Sequence, residues 1–160
     1  MKHLPVFALS LLLLTSTTLF AEWKIDAPAD KIEGPLKGEL YGAPFTLGKA
    51  EWSDAALRIE SADKLGNWPA TSLVIFVKPG EQKEWVITPD SDKSPAVHMK
   101  FAKKGAKFPG TLTYSGEYSM RLTVLSETAD SAKLAIHISL PDYKKSHLIG
   151  EFEAKVVRKK

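Results

Sequence analysis

The sequence predicts an all-β fold, and three observations support that prediction. Short stretches alternate apolar and polar residues with period two, clusters of Gly, Pro, Asp and Ser separate them, and helical spacing of apolar residues is nearly absent. Eight or nine short strands with turn-like connections are typical of a sandwich or a barrel. We therefore expect a single antiparallel β-sandwich, with a barrel as the alternative.

The first residues follow the pattern of an export signal. Lys2 and His3 form a short basic start, an apolar run covers residues 4–14, and small polar residues precede Ala21. A membrane-spanning helix needs about 20 consecutive apolar residues, so this run is too short to be one. We expect a signal peptide over residues 1–21, cleavage near Ala21, and a periplasmic or secreted protein.

The remaining chain has the size of one domain. Removing the first 21 of the 160 residues leaves 139, within the usual range of about 100 to 200. We expect residues 22–34 to be a lead-in segment and residues 35–160 to form the β-sandwich. The chain contains no cysteine, so packing must hold the core without disulfides. No later stretch is apolar enough to predict a transmembrane segment in the mature chain.

The first half of the domain carries five strand patterns. They lie at residues 35–43, 45–52, 57–60, 73–77 and 85–87. The first two predict a hairpin, because Gly42, Ala43 and Pro44 suit a tight connection. Residues 61–69 carry Asp, Gly, Asn and Pro and predict a loop. The unbroken apolar run from Leu73 to Val77 suits a strand covered on both faces, so we place it at the centre of a sheet.

The second half of the domain carries four more strand patterns. They lie at residues 97–101, 120–124, 134–140 and 148–157. In the first of these, Val97, Met99 and Phe101 are expected to face the core, which leaves His98 outward. In the third, the even-numbered residues are apolar, which puts His137 on the opposite face. The connections are too short for the crossover helices of a parallel sheet, so we expect antiparallel pairing.

No catalytic motif is present in the sequence. There is no G-x-S-x-G, no H-E-x-x-H and no glycine-rich phosphate loop, and cysteine chemistry is impossible. Close carboxylates such as Glu151 and Glu153, or Asp90 and Asp92, are interpreted as solvated charge rather than as an acid and base pair. We therefore expect a protein that is not an enzyme and that needs no cofactor.

Two alternative functions depend on the arrangement of the strands. His98 and His137 both face outward, and on neighbouring strands their Cβ atoms would lie about 5 Å apart, close enough to share a metal ion. His147 precedes the last strand and would join such a site. The other alternative is a carrier of a small apolar ligand, which requires a barrel interior of about 300 Å³ or more.

The leading hypothesis is a binding or interaction module of the bacterial envelope. Trp68 and Tyr143 lie in predicted loops, where exposed aromatic rings serve recognition. Lys144, Lys145 and His147 follow Tyr143 and would line the same loop. The expected partner is a protein, a glycan or another envelope component. Because 22 basic residues nearly balance 19 acidic ones, the charge predicts no nucleic-acid partner.

Overall fold

The computed structural model describes residues 25–158 of the chain. The predicted signal peptide over residues 1–21 lies outside that range, so cleavage near Ala21 stays a prediction. Within residues 25–158 the secondary structure consists of strands, turns and bends. No helix in this part of the chain has the length and apolar character needed to cross a membrane.

Thirteen strands form within the described residues. In chain order they are β1 (Lys37–Leu40), β2 (Ala43–Pro44), β3 (Leu47–Ser53), β4 (Leu57–Ser61), β5 (Lys64–Leu65), β6 (Trp68–Pro69), β7 (Thr71–Ile75), β8 (Glu84–Ile87), β9 (Val97–Phe101), β10 (Gly110–Tyr114), β11 (Ser119–Glu127), β12 (Ser131–Ser139) and β13 (His147–Val157).

Eleven of these strands belong to one large mixed sheet. Its main path runs β10-β9-β7-β4-β3-β13-β12-β11-β8, and the β1–β2 hairpin branches from it because β1 pairs with the start of β13. The remaining two strands, β5 and β6, form a small hairpin of their own. The large sheet curls into a half-barrel, which leaves β10 and β8 at its two ends.

The prediction of an all-β fold is confirmed, whereas the sandwich arrangement is not. The prediction of purely antiparallel pairing was wrong at one place, where β13 pairs with β3 in parallel. β13 is 11 residues long, so one of its edges has room for two partners. β1 pairs with its beginning and β3 with its end. Alternation along a strand indicates which face is buried, but not which strand lies alongside it.

The curl of the sheet brings Trp52 of β3 against Trp85 of β8. Their ring centroids lie 6.2 Å apart with an interplanar angle of 70°. β8 is four places from β3 along the sheet path, so only curvature can bring the two rings together. The indole N–H of Trp52 donates to the Val77 carbonyl at 2.9 Å, which satisfies the polar atom of a fully buried side chain.

The burial of individual strands agrees with the alternation in the sequence. Every residue of β7 is buried, and β7 lies between β4 and β9, as expected for a covered central strand. The predicted run extended too far, because β7 ends at Ile75 and Phe76 is 44% exposed. In β9 the odd-numbered residues are buried while His98 and Lys100 are half-buried on the other face. Two elements were missed: the β5–β6 hairpin lies inside the predicted loop, and β10 was not identified as a strand.

Residues 25–36, called here the N-terminal strap, contact outward side chains of β11 and β12 and then hydrogen-bond to the edge of β13. The Ala29 N–H donates to Nδ1 of His137 on β12 at 2.7 Å. Oδ1 of Asp30 pairs with Arg121 on β11 at 2.8 Å. The strap therefore covers the His137 face of the sheet, which the sequence alone leaves open to solvent.

Gly150 allows the strap to approach the backbone of β13 closely. The Leu36 N–H donates to the Glu151 carbonyl at 3.0 Å, next to Gly150. A Cβ atom at Gly150 would lie 2.4 Å from the Pro35 carbonyl oxygen, and the φ of Gly150 is +136°. Only glycine fits this position without moving the strap or the strand.

Candidate functional site

The candidate site forms where two turns meet. The first is the two-residue turn between β1 and β2, formed by Tyr41 and Gly42. Their φ values are +54° and +76°, as a type I′ hairpin turn requires. Glycine adopts this conformation freely, but for an L-residue with a side chain it costs roughly 1–2 kcal/mol. The chain therefore retains strain at Tyr41, a feature that often accompanies function.

The second turn joins β12 to β13 and is fastened to the first by hydrogen bonds. Oδ1 of the buried Asp142 accepts from the Ser146 N–H at 3.0 Å, and the Asp142 carbonyl accepts from the Lys145 N–H at 2.9 Å. The Ser146 hydroxyl oxygen then accepts from the Tyr41 N–H at 2.8 Å. We call these three hydrogen bonds the clamp. Asp142 and Ser146 are only 7% and 0% exposed, so water has little access to compete for the bonds of the clamp.

The clamp supports three rings, Tyr41, Phe101 and Tyr143, which we call the aromatic cluster. Tyr41 stacks on Phe101 of β9, with centroids 3.7 Å apart and planes within 13°. Tyr143 meets Tyr41 edge-on at 5.9 Å, and its hydroxyl donates to the Tyr41 hydroxyl at 3.1 Å. Tyr143 is nevertheless 74% exposed. An exposed ring is thus held in a fixed position.

Two lysines lie over rings of the aromatic cluster. Nζ of Lys144 is 5.1 Å from the Tyr143 centroid, and Nζ of Lys103 is 5.2 Å from the Phe101 centroid. Both distances fall within the range of cation–π attraction. Gly42 gives the Lys144 side chain its path, since a Cβ at Gly42 would lie only 3.2 Å from the Lys144 Cδ. The cluster is therefore flanked by positive charge.

Two buried polar atoms near the cluster have no hydrogen-bond partner among the described residues. They are the Tyr114 hydroxyl and Oδ2 of Asp142. Burial first, and then the charge of Asp142, raises the pKa of Tyr114 to about 12, so its hydroxyl stays protonated at neutral pH. An unsatisfied buried polar group costs about 1–3 kcal/mol. Native proteins retain few such groups, and a functional role is one of the reasons for retaining them.

The structure places four predicted binding residues at or beside this site. Tyr143 and Lys144 are part of it, as described above. Lys145 has a φ of +56° and shapes the turn through its backbone. His147 is half-buried at the start of β13, where its Nδ1 lies 3.1 Å from the Lys145 carbonyl oxygen. Whether these residues bind a ligand stays a prediction.

Trp68, the fifth predicted binding residue, has different neighbours. It lies in the β5–β6 hairpin, and its indole N–H donates to the Lys107 carbonyl at 3.3 Å. Its ring lies 6.4 Å from that of Phe108, which is 64% exposed. The ring contacts of Trp68 are therefore with the segment between β9 and β10 and not with the aromatic cluster.

The two histidines of the metal hypothesis are not brought together. β7, β4, β3 and β13 lie between β9, which carries His98, and β12, which carries His137. Burial and then the neighbouring His147 lower the pKa of His137, while the ring of His98 contacts Phe76 edge-on at 4.8 Å. Within residues 25–158 no group of three potential metal ligands is placed to hold an ion. The adjacency that the hypothesis requires is absent from this sheet.

Sequence reasoning missed the residues that support the exposed ring. Tyr41 and Phe101 were assigned to strand patterns, and neither Asp142 nor Ser146 was among the predicted binding residues. One signal was available, since a Tyr-Gly pair between two short strand patterns is compatible with a two-residue hairpin turn. The contact of that turn with Phe101 joins residues 60 positions apart, which no local pattern predicts.

Comparisons with known proteins give no relative from which a function can be transferred. No protein-family model, no curated protein and no solved structure matches this chain.

Proposed function

We propose that this protein is an exported, non-enzymatic recognition module of the bacterial envelope that binds an acidic glycan through the aromatic cluster. The observation that carries the proposal is the Tyr143 ring, which is 74% exposed and yet fixed by its contacts with Tyr41. Export rests on the signal pattern of residues 1–21, and the absence of a catalytic motif supports a binding role.

A fixed exposed ring favours binding because the entropy of its side chain has already been lost during folding and is not lost again on binding. Immobilising a side chain at an interface costs about 0.5–1.5 kcal/mol, and a ring that is already held avoids most of that cost. The C–H face of a pyranose is apolar and flat enough to stack on a tyrosine ring, while the sugar hydroxyls remain in water. The Tyr143 ring offers such a platform.

The lysines select for negative charge on the sugar. Lys103 and Lys144 lie over the rings of the cluster, and Asp142, in the turn that supports Tyr143, is buried and accepts a hydrogen bond from the Ser146 N–H. A uronic acid that stacks on Tyr143 would place its carboxylate within reach of the Lys144 ammonium group, which lies 5.1 Å from the centroid of that ring. Such charge-assisted contacts are stronger than neutral hydrogen bonds and weaken in high salt.

The β-sandwich remains our interpretation of the half-barrel. The packing of Trp52 on Trp85 supports it, because the two rings come from distant parts of the sheet and face each other across the core. In that interpretation the parallel pair of β3 and β13 is the corner at which the sheet turns from one layer into the other.

The carrier alternative receives less support from the cavities of the described residues. Five of the cavities there have volumes between about 220 and 690 Å³. Of these five, the one of about 690 Å³ is lined by the strap and by loops that carry Asp90 and Glu117. None of the large, fully buried core side chains lines any of the five.

The proposal is tested by calorimetric titration of the mature chain with polygalacturonate and alginate oligomers, with dextran as a neutral control. We expect binding to the two acidic glycans, and Tyr143→Ala is expected to weaken it about two- to tenfold, since a ring contact is worth about 0.5–1.5 kcal/mol. Tyr143→Phe keeps the platform and should bind more tightly than Tyr143→Ala.

The matched control is Leu125→Ala, which truncates another exposed apolar side chain, on β11. It should bind like the unmodified chain. Equal affinity of the Tyr143→Ala and Leu125→Ala variants for the acidic glycans would refute the proposal, as would a lack of measurable binding to either glycan.

A further inference from the structure

β10 is an end strand of the sheet, and the hydrogen-bond pattern identifies which of its backbone groups are free. The Ala102 N–H donates to the Ala70 carbonyl and the Phe76 N–H to the Ala96 carbonyl. The even-numbered residues of β9 are therefore hydrogen-bonded to β7. Its odd-numbered residues must then bond to β10, where their register partners are Gly110, Leu112 and Tyr114.

This alternation leaves the N–H and C=O groups of Thr111 and Thr113 directed away from β9. Within residues 25–158 no other segment hydrogen-bonds to them. Both threonines are exposed, whereas Leu112, which lies between them, and Tyr114, which follows them, are half-buried against the core. An unpaired edge of this kind is a template for another strand.

The edge lacks the charges that usually prevent such pairing. β10 contains no charged residue and no proline. At the opposite end of the sheet, β8 begins with Glu84, which is preceded by Lys83 and whose carboxylate pairs with Arg121 at 2.8 Å. Charges on an edge strand are a common protection against strand addition. The β8 end of the sheet therefore has this protection, and the β10 strand does not.

The sequence of β10 is complementary to itself in the antiparallel direction. A two-fold axis at Leu112 places Thr111 of each copy opposite Thr113 of the other. These two residue pairs are the hydrogen-bonded pairs of the new ladder, and they use the outward N–H and C=O groups of the threonines. Leu112 then meets Leu112, and Gly110 meets Tyr114. Threonine pairs and an aromatic ring beside an edge glycine are both favourable cross-strand combinations.

The charges outside the strand fit the same axis. Lys107 and Glu117 lie at equal distances in sequence from Leu112, on opposite sides of it. A second copy related by the axis would bring its Glu117 toward Lys107 and its Lys107 toward Glu117. Opposite charges at both ends favour a second copy over an unrelated peptide.

We propose that two copies of this chain associate by antiparallel pairing of their β10 edges about Leu112. The interface is isologous, as closed dimers require. A strand pair of five residues is a small contact, so the association is weak and depends on concentration. Association would place two aromatic clusters in one particle, which would strengthen attachment to a polymer with repeated sugars.

The absence of cysteine in the chain allows a direct test by cross-linking the mature protein. In a non-hydrogen-bonded antiparallel pair the Cα atoms lie about 4.5 Å apart, which a disulfide can span. The Leu112→Cys variant is expected to form a covalent dimer on mild oxidation several-fold more readily than Val86→Cys. Val86 is the matched control because it lies on the edge strand β8 and is 45% exposed.

A second substitution tests whether strand pairing is responsible. Thr113→Pro removes an outward N–H, a change that an edge strand tolerates, whereas Thr113→Val keeps it. In the Leu112→Cys background, Thr113→Pro should lower the yield of covalent dimer and Thr113→Val should not. Equal yields from Leu112→Cys and Val86→Cys would overturn the proposal, even if the proline variant does not fold. A dimer yield that is insensitive to a folded Thr113→Pro variant would also overturn it.

Discussion

His137 is the titratable side chain whose protonation is coupled most directly to the packing of the N-terminal strap. Its Nδ1 accepts the Ala29 N–H at 2.7 Å, so that nitrogen must be unprotonated. Burial and the nearby His147 both lower the pKa of His137. Arg121, its register partner on β11, is paired with the carboxylates of Asp30 and Glu84 at 2.8 Å each. The neutral ring is therefore the form that the fold requires.

The lowered pKa of His137 predicts a loss of stability in mild acid. Below the ordinary histidine pKa of about 6.5 the unfolded chain binds a proton that the folded chain resists, so the free energy of unfolding decreases as pH falls through that range. We expect the melting temperature to drop between about pH 7.5 and about pH 5.5.

The His137→Gln variant isolates this effect, because glutamine keeps an acceptor but does not titrate. Its melting temperature should change less over the same pH interval than that of the unmodified chain. Parallel pH profiles for the two proteins would show that His137 does not carry the acid sensitivity.

Trp52 is the residue at which packing and hydrogen bonding coincide. It is fully buried, contacts Trp85 and donates to the Val77 carbonyl. Trp52→Phe keeps an aromatic ring but leaves that carbonyl without its donor, which should lower the free energy of unfolding by about 1–3 kcal/mol. Urea unfolding measures the change.

Trp68→Phe provides the comparison for Trp52→Phe. Its indole also donates to a backbone carbonyl, that of Lys107, but the side chain is 38% exposed. Water can replace the lost donor there, so we expect a change of about 0.5 kcal/mol or less. A Trp52→Phe variant no less stable than Trp68→Phe would contradict the account of the core.

At the scale of elements, Gly150 determines whether the strap can pack on β13. The Gly150→Ala substitution would place a Cβ 2.4 Å from the Pro35 carbonyl oxygen, at a φ of +136°. We expect it to lower the free energy of unfolding by about 2 kcal/mol or more, since both backbone strain and a backbone clash arise.

Gly116→Ala is the control for this substitution. An added Cβ at Gly116 meets nothing within 4 Å, and its φ is not in the left-handed region. Its stability should stay within about 0.5 kcal/mol of the unmodified chain. If denaturant unfolding gives the same midpoint for both alanine variants, the strap does not pack on β13 as described.

Most of the strands could be predicted from the sequence because each of these produces a local pattern. The alternation at residues 97–101 correctly separated Met99 from His98, and the apolar run beginning at Leu73 correctly indicated a covered strand as far as Ile75. β10 was missed because Thr111 and Thr113 alternate with residues that include Gly110, which blurs the apolar face. The strap contact with His137 joins distant residues and leaves no local signal.

At the scale of the whole molecule, the order and direction of the strands could not be predicted. Val156 pairs in parallel with Trp52 because β13 extends past the end of β1 and its last residues pair with β3. The alternation of apolar and polar residues does not indicate which strand lies alongside. The candidate site has the same origin. Tyr143 was identified from its loop, but Tyr41 and Phe101 join it only because the curled sheet brings the β1–β2 turn to β9.

We propose that the aromatic cluster is the binding surface of this protein. The most direct test is a backbone amide NMR titration of the mature chain with polygalacturonate oligomers. We expect saturable shifts that centre on Tyr41, Phe101, Tyr143 and Lys144, and the Tyr143→Ala variant should need about two- to tenfold more ligand to reach half-saturation. Shifts that centre instead on Trp68 and Phe108, or no shifts at all, would contradict the proposal.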